Sequence, residues 1–229
     1  MITLNMLPLE GRDRARWRRA GIVWFCAIQF FIVQMIATWR WTAPFSLVTN
    51  NISDLGNTSC DMYPAVGGTF ICSPWYVLMN ISFALQGVII IAGSILVRQV
   101  IDPSTTRTVV FWLLIVTGLG LLGVGAFPEN VNNRAHTISA GVQFVTGNAA
   151  ILIFGFAAYR ILGGRLFSAI SVALGGAGLA ATILFALGIG LGVGLGTVER
   201  IAAYTLPIWL ITAGTILQAR DKPIQHQNV

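Results

Sequence analysis

The chain has 229 residues, of which 55% are hydrophobic and only 10% charged, and its mean hydropathy is +0.77. Soluble domains carry about 25% charged residues, so this composition excludes a water-soluble globular protein and indicates a membrane protein. The net charge of +6 does not indicate nucleic-acid binding, because the basic residues flank apolar segments and form no basic and aromatic surface pattern. We therefore expect membrane lipid, and no nucleic acid, as a partner.

Six apolar segments are long enough to cross a bilayer, since about 20 helical residues span roughly 30 Å of hydrocarbon. They are predicted at residues 21–39, 75–97, 108–126, 137–158, 166–187 and 201–219. The connections between them are short, and no internal repeat is visible. The sequence therefore predicts an all-α fold, a polytopic bundle of six transmembrane helices that forms a single integral membrane domain over residues 1–229.

The lysines and arginines are distributed unequally over the two sides of this bundle. Three lie on one side, in the connections after the first, third and fifth spans: Arg40, Arg134 and Arg200. Eleven lie on the side of the two termini: Arg12, Arg14, Arg16, Arg18, Arg19, Arg98, Arg107, Arg160, Arg165, Arg220 and Lys222. By the positive-inside rule both termini are predicted to be cytoplasmic. We expect a multi-pass protein of the bacterial cytoplasmic (inner) membrane whose first helix is not a cleaved signal, because no A-x-A site follows it.

The cysteines fit this orientation. Cys60 and Cys72 lie in the first outer connection, where an oxidising environment permits disulfides. A bridge between them would close a loop of 13 residues and stabilise the fold by about 3 kcal/mol in the chain-entropy model. We expect this disulfide to form. Cys26 lies within the first span and is predicted to be a packing residue.

Charged side chains gather in the three connections on the outer side. The stretch FPENVNNRAH (residues 127–136) joins the third and fourth spans, Asp54 lies in the first outer connection, and Glu199 and Arg200 end the third. The outer side as a whole carries Arg40, Asp54, Asp61, Glu129, Arg134, His136, Glu199 and Arg200. Because short loops at one end of a narrow bundle converge, these groups are expected to pair or to form a site. The structural alternative is a polar cap on helix ends.

Several amides lie inside the predicted spans. Asn80 and Gln86 are in the second span, and Gln143 shares one helical face of the fourth span with His136. Hydrogen bonding between helices would account for them at about 0.6 kcal/mol each. The functional hypothesis is a polar cavity that opens outward and is lined by Asn80, Gln86, His136 and Gln143.

Five short motifs occur in a fixed order along most of the chain: ISDLGNT (52–58), CSPWYVLMN (72–80), FPEN…H (127–136), GN (147–148) and ER (199–200). Together they resemble a bacterial family called domain of unknown function 998. Asn130 stands where the resemblance leads us to expect an acid. The architecture is also remotely similar to the Frag1/DRAM/Sfk1 group of six-helix membrane proteins. The resemblance implies a multi-span integral membrane protein and no particular reaction.

The first functional hypothesis is a protein that binds a lipid headgroup or a small amphiphile. The arginines would hold an anionic headgroup, since bidentate arginine suits phosphate, and the acids and amides would orient it. The predicted ligand-binding residues are Asp54, Asn80, Gln86, Glu129, Arg134, His136, Gln143, Glu199 and Arg200.

Three alternatives remain open from the sequence. An intramembrane enzyme would use Glu129 or Glu199 with His136 for acid–base chemistry. No metal site is predicted, because only one histidine lies there and no HExxH-like spacing exists, and no cofactor is indicated. A transporter would usually show internal repeats and broken helices. A scaffold would use the charges as a salt-bridged lid, with a homo-oligomer or a membrane-protein partner.

Overall fold

The computed structural model describes residues 11–42, 44–63, 69–161 and 164–219. Within these residues the chain forms seven α-helices: α1 Gly11–Phe25, α2 Gln29–Trp39, α3 Tyr76–Arg98, α4 Thr105–Ala126, α5 Asn133–Ile161, α6 Arg165–Ala186 and α7 Leu195–Ala219. A 3₁₀ turn, Cys26–Ile28, joins α1 to α2, so these two helices form one span. Six helical segments are long and apolar enough to cross a membrane, which confirms the predicted six-span helical bundle.

Three helices begin four or more residues earlier than hydropathy predicts. The first starts at Gly11 instead of residue 21, α5 at Asn133 instead of 137, and α7 at Leu195 instead of 201. Each extension contains charged or amide residues that a hydropathy window assigns to a loop. In α7 the extension places Glu199 and Arg200 inside the helix, and both are buried.

The six spans pack as a closed ring. Each helix from α3 to α7 contacts the next one along the chain, and α1 packs between α7 and α3. Small residues allow the closest approach, since a Cβ atom built on Gly21 of α1 would lie 2.6 Å from the carbonyl oxygen of Gly214 on α7. Side chains from several helices therefore fill the interior of the ring.

The two ends of the ring differ. At the end called here the loop end, residues 40–75, 127–132 and 187–194 connect the helices. This end also carries a hairpin that the sequence did not predict, in which β1 (Asp61–Tyr63) pairs antiparallel with β2 (Thr69–Ile71). The disulfide between Cys60 and Cys72 closes the base of the hairpin, as predicted.

The opposite end, called here the basic end, carries Arg98, Arg107 and Arg165. An aromatic cluster fills the ring near it: Trp209 packs against Trp24, Phe154 and Phe167 at ring-centroid distances of 5.4, 5.1 and 5.9 Å. Arg220 and Lys222, which the charge count assigns to this end, lie outside the described residues. That the basic end faces the cytoplasm stays a prediction.

Candidate functional site

Arg200 anchors the loop end from within α7. Its Nη1 donates hydrogen bonds to the carbonyl oxygens of Leu47 (3.0 Å), Asn50 (2.6 Å) and Gly196 (2.8 Å). The guanidinium also lies over the ring of Phe45, 5.6 Å from its centroid. Only 7% of the residue is exposed. Arg200 is thus engaged by the protein's own main chain, which leaves this nitrogen no capacity to bind an anionic headgroup.

Two carboxylates hold the same segment of the first loop. Glu199 Oε2 accepts a hydrogen bond of 2.5 Å from the main-chain N–H of Ile52. Asp54 Oδ2 accepts from the N–H of Asn51 (2.9 Å) and from the side-chain amide of Asn50 (3.1 Å). These bonds position residues 50–54 directly above the interior of the ring.

Asp54 is 1% exposed, and its electrostatics reflect that burial. Burial raises the pKa of this carboxyl from 3.8 to about 6, because desolvation disfavours the charged form. The hydrogen bond from Asn50 lowers the pKa, the charge of Glu129 raises it, and the hydrogen bond from Asn51 and the charge of Arg200 lower it. The acids of the loop end are therefore close enough to influence one another.

The loop between α4 and α5 is fastened to the first loop by Asn130. Its Oδ1 accepts from the N–H of Thr58 (3.1 Å), and its Nδ2 donates to Thr58 Oγ1 and Ser59 Oγ, both at 3.0 Å. An amide can both donate and accept, whereas a carboxylate at this position could only accept. Beside it, Glu129 Oε2 is buried without a hydrogen-bond partner among the described residues.

Beneath this lid lies a cavity, called here the central cavity. Its polar lining is Ser53, Gln86, His136, Gln143 and Glu199. Its apolar lining includes Phe30, Ile90, Leu121, Phe144, Leu206 and Pro207. The centre of a water molecule can occupy about 30 Å³ of it, which is room for about two waters at roughly 10–15 Å³ each. The cavity is thus narrow and amphipathic, and suits water, a small headgroup or a thin alkyl chain.

Two polar groups in the cavity wall are held in fixed orientations. His136 Nδ1 lies 2.9 Å from the carbonyl oxygen of Phe127, and since a carbonyl only accepts, Nδ1 carries the proton and neutral His136 keeps Nε2 as an acceptor. Gln86 Oε1 accepts from Gln29 Nε2 at 3.0 Å, while Gln86 Nε2 is buried with no partner among the described residues. Gln86 is 2% exposed, so this unpaired donor is costly unless something fills the cavity.

Pro207 adds a further acceptor. It lies inside α7 and has no N–H, so the carbonyl of Ala203, four residues earlier, receives no helical hydrogen bond from it. Ala203 and Pro207 both line the central cavity. The break in the α7 hydrogen-bond ladder therefore lies at the cavity wall.

Comparison with protein families gives one match: a family described as protein of unknown function (DUF998) matches residues 25–216. The chain belongs to the DUF998 family. All five motifs that carried the resemblance lie within the matched residues. No curated protein and no solved structure matches the chain. The similarity to the Frag1/DRAM/Sfk1 group stays a prediction.

The residues predicted to form a site in this DUF998 protein fall into three groups. Gln86, His136, Gln143 and Glu199 line the central cavity, and they are joined by Ser53, which was not among the predicted residues. Asp54 and Arg200 hold the first loop in place. Asn80, expected in the cavity wall, does not line it and instead donates to the carbonyl of Gly56 at 2.9 Å.

The third group lies at the loop end outside the cavity. Arg134 and Arg40 are exposed, and Arg40 lies over the ring of Trp39 at 4.9 Å. Glu129 is half-buried. Within the part of the DUF998 chain that the structure describes, no group of three or more His, Cys, Asp or Glu side chains is arranged to hold a metal.

Proposed function

We propose that this protein is a bacterial inner-membrane protein that binds the headgroup of a lipid or another small amphiphile in the central cavity, which opens toward the outer face. One observation carries the proposal. The polar side chains of Ser53, Gln86, His136 and Glu199 are all at least nine-tenths buried, and they line one cavity whose remaining walls are apolar. Buried polar groups are normally hydrogen-bonded, so such a cavity is suited to a molecule with a polar head and an apolar tail.

The chemistry of the wall favours a headgroup that donates hydrogen bonds. The carboxylate of Glu199, Nε2 of His136 and the carbonyl of Ala203 are acceptors, whereas Gln86 Nε2 is an unpaired donor. Arg200 does not line the cavity, and its Nη1 is bound to main-chain carbonyls, while its Nε is buried without a partner among the described residues. A hydroxyl or amine headgroup therefore fits better than the phosphate that the arginines suggested.

Native mass spectrometry of the protein purified in mild detergent tests the proposal. The variants are Glu199→Gln, which keeps the shape of the side chain but replaces the acid by an amide, and Gln143→Leu, which removes a polar group from the wall. Wild type should carry a discrete bound mass that decreases at least about tenfold in occupancy in each variant, as expected when a bond to a charged or buried group is lost. Arg134→Gln is the matched control, because Arg134 is exposed at the same end.

Two results would contradict the proposal. The first is a protein that carries no amphiphile even when hydroxyl- and amine-headed detergents are supplied. The second is a bound mass that is lost in Arg134→Gln and retained in the two cavity variants, which would return the site to the exposed arginines.

An intramembrane enzyme is the second candidate, and the orientation of His136 favours it. The Phe127 carbonyl fixes Nδ1 as the protonated nitrogen, which leaves Nε2 as a potential general base on the same cavity as Glu199. The test is incubation with a lipid extract of bacterial membranes followed by lipid mass spectrometry. A product that appears with wild type and not with His136→Gln supports catalysis, and unchanged lipid with both proteins contradicts it.

A further inference from the structure

A second cavity lies at the basic end, and nothing in the proposed function uses it. The residues that matter in its lining are Trp24 of α1, Ser94 and Arg98 of α3, Arg107 and Phe111 of α4, and Trp209 of α7. Aliphatic side chains such as Val97, Val110 and Leu114 complete it. This basic-end cavity is therefore apolar over most of its wall, with a few polar groups that converge where α3 ends and α4 begins.

One of these polar groups is a buried donor without a partner. Trp24 is 2% exposed, and its Nε1 has no hydrogen-bond partner among the described residues. The neighbouring Trp209, which packs against it, donates its own Nε1–H to Ser171 Oγ at 2.8 Å. The pyrrole edge of Trp24 packs against Gly93 of α3, and since an indole N–H can only donate, any partner that Trp24 finds at the cavity is an acceptor.

The second unpaired donor belongs to Arg107. Its Nη1 caps the end of α3 by donating to the carbonyls of Ile101 (2.8 Å) and Arg98 (3.3 Å). Its Nε is buried and has no partner in the described part of the chain. The same side chain thus fastens the α3–α4 turn with one nitrogen and leaves another nitrogen available at the cavity.

No carboxylate among the described residues compensates the charge of this cavity. The Arg98 guanidinium lies 4.4 Å from the centroid of Phe111, and neither Arg98 nor Arg107 forms an ion pair with any carboxylate that the structure describes. The acid nearest in sequence, Asp102, is exposed. Two cations, two unpaired N–H donors and an apolar wall together require an occupant that is anionic, accepts several hydrogen bonds and carries an apolar part.

We infer that the basic-end cavity binds a phosphate-type anion. A membrane lipid with a phosphate monoester headgroup is the form of that anion whose apolar part also contacts the apolar wall. Arginine binds phosphate oxygens with charge-assisted hydrogen bonds. Basic pockets between transmembrane helices on the cytoplasmic side bind anionic lipid headgroups in the same way. The site is separate from the central cavity and does not depend on the function proposed for it.

The test uses the full-length protein in a neutral detergent and measures binding by native mass spectrometry. The probes are dimyristoyl phosphatidic acid, dimyristoylglycerol, which has the same chains and no phosphate, and inorganic phosphate as a competitor. The variants are Arg98→Gln and Trp24→Phe, the second of which keeps an aromatic ring and removes only the N–H donor. Arg165→Gln is the matched control, because it removes one exposed cation at the same end outside the cavity.

Wild type and Arg165→Gln should bind phosphatidic acid, and the affinity should fall about tenfold or more in Arg98→Gln and measurably in Trp24→Phe. Competition by inorganic phosphate alone would identify free phosphate as the source of the anion, and its failure to compete would identify the lipid. Gln143→Leu should leave this binding unchanged. Equal binding of dimyristoylglycerol, or an equal loss in Arg165→Gln, would overturn the inference.

Discussion

Glu199 on α7 accepts a hydrogen bond from the main-chain N–H of Ile52, which lies 147 residues earlier, over 2.5 Å. The next residue, Arg200, donates to the carbonyl of Asn50 in the same loop. Glu199 thus binds a main-chain donor and Arg200 a main-chain acceptor of the same segment, residues 50–52. The first loop and the last helix form one tertiary unit, and this unit is the roof of the central cavity.

Loss of the arginine should destabilise the protein. In Arg200→Met the carbonyls of Leu47, Asn50 and Gly196 lose their hydrogen bonds from the guanidinium, and the expected loss of unfolding free energy is about 2–3 kcal/mol, as for buried hydrogen bonds to a charged group. Thermal unfolding in detergent measures it. Arg134→Met, at an exposed position, should unfold with the same free energy as wild type. An Arg200→Met protein as stable as wild type would show that the loop is held by other contacts.

Removal of the disulfide should cost about 3 kcal/mol, because the unfolded chain regains the freedom of a short loop. The variant is the double substitution Cys60→Ser with Cys72→Ser, assayed by thermal unfolding with and without reductant. Cys26→Ser is the control, since Cys26 is a free, exposed cysteine on the outside of the ring. Reductant should lower the midpoint of wild type and have no effect on the double variant; equal sensitivity of both would contradict the prediction.

Asp54 should make stability depend on pH. Its folded pKa of about 6 exceeds its ordinary 3.8, so the folded protein binds the proton more tightly than the unfolded chain. The free energy of unfolding should therefore decrease as pH rises from about 4 to about 6, by at most roughly 3 kcal/mol. Asp54→Asn should flatten this part of the profile, because the amide oxygen can still accept from Asn50 and Asn51. Identical pH profiles for the two proteins would exclude Asp54 as the titrating group.

Replacing each of two adjacent glycines of α6 by alanine should have opposite effects on stability. A Cβ at Gly175 would lie 2.5 Å from the main-chain nitrogen of Leu152 on α5, whereas one at Gly176 meets nothing within 4 Å. Gly175→Ala should lose about 1–3 kcal/mol by overpacking, and Gly176→Ala should be neutral or gain up to about 1 kcal/mol in helix propensity. Thermal unfolding of the two variants side by side decides it; a stable Gly175→Ala would mean that α5 and α6 are not in close contact.

The orientation can be measured with one added cysteine in a Cys26→Ser background, in which Cys60 and Cys72 are held in the disulfide. Asn132→Cys lies at the loop end and Ser104→Cys at the basic end, and both positions are exposed. A membrane-impermeant maleimide should label residue 132 in intact cells and residue 104 only after permeabilisation, as the positive-inside rule predicts. The reverse pattern would place both termini outside.

Much of the fold could be predicted from the sequence because membrane spans are determined by local composition and length. The helix starts could not. Hydropathy begins the last span at residue 201, after Glu199 and Arg200, yet α7 begins at Leu195, because main-chain groups of the first loop form hydrogen bonds with both side chains. Those partners are about 150 residues distant, and nothing near Glu199 in the sequence identifies them.

In the candidate site, too, the features set by local sequence could be predicted and those set by tertiary contacts could not. His136 and Gln143 were predicted to share a helical face, and both line the central cavity, since helical spacing is a local property. Asn80 was predicted in the cavity wall only because it is an amide inside a span, and it bonds instead to Gly56, because the tertiary fold brings that loop over it. The basic-end cavity could not be foreseen, because flanking arginines are expected on topological grounds alone.

Pro207 has a mechanical consequence. Where a helix already lacks one hydrogen bond of its ladder, it can bend without breaking another. In α7 that point lies at the wall of the central cavity, between the part that holds the roof through Glu199 and Arg200 and the part that packs on Trp24 through Trp209. A change of angle at that point would change the width of the cavity, so a space for about two waters does not by itself set the size of the largest guest.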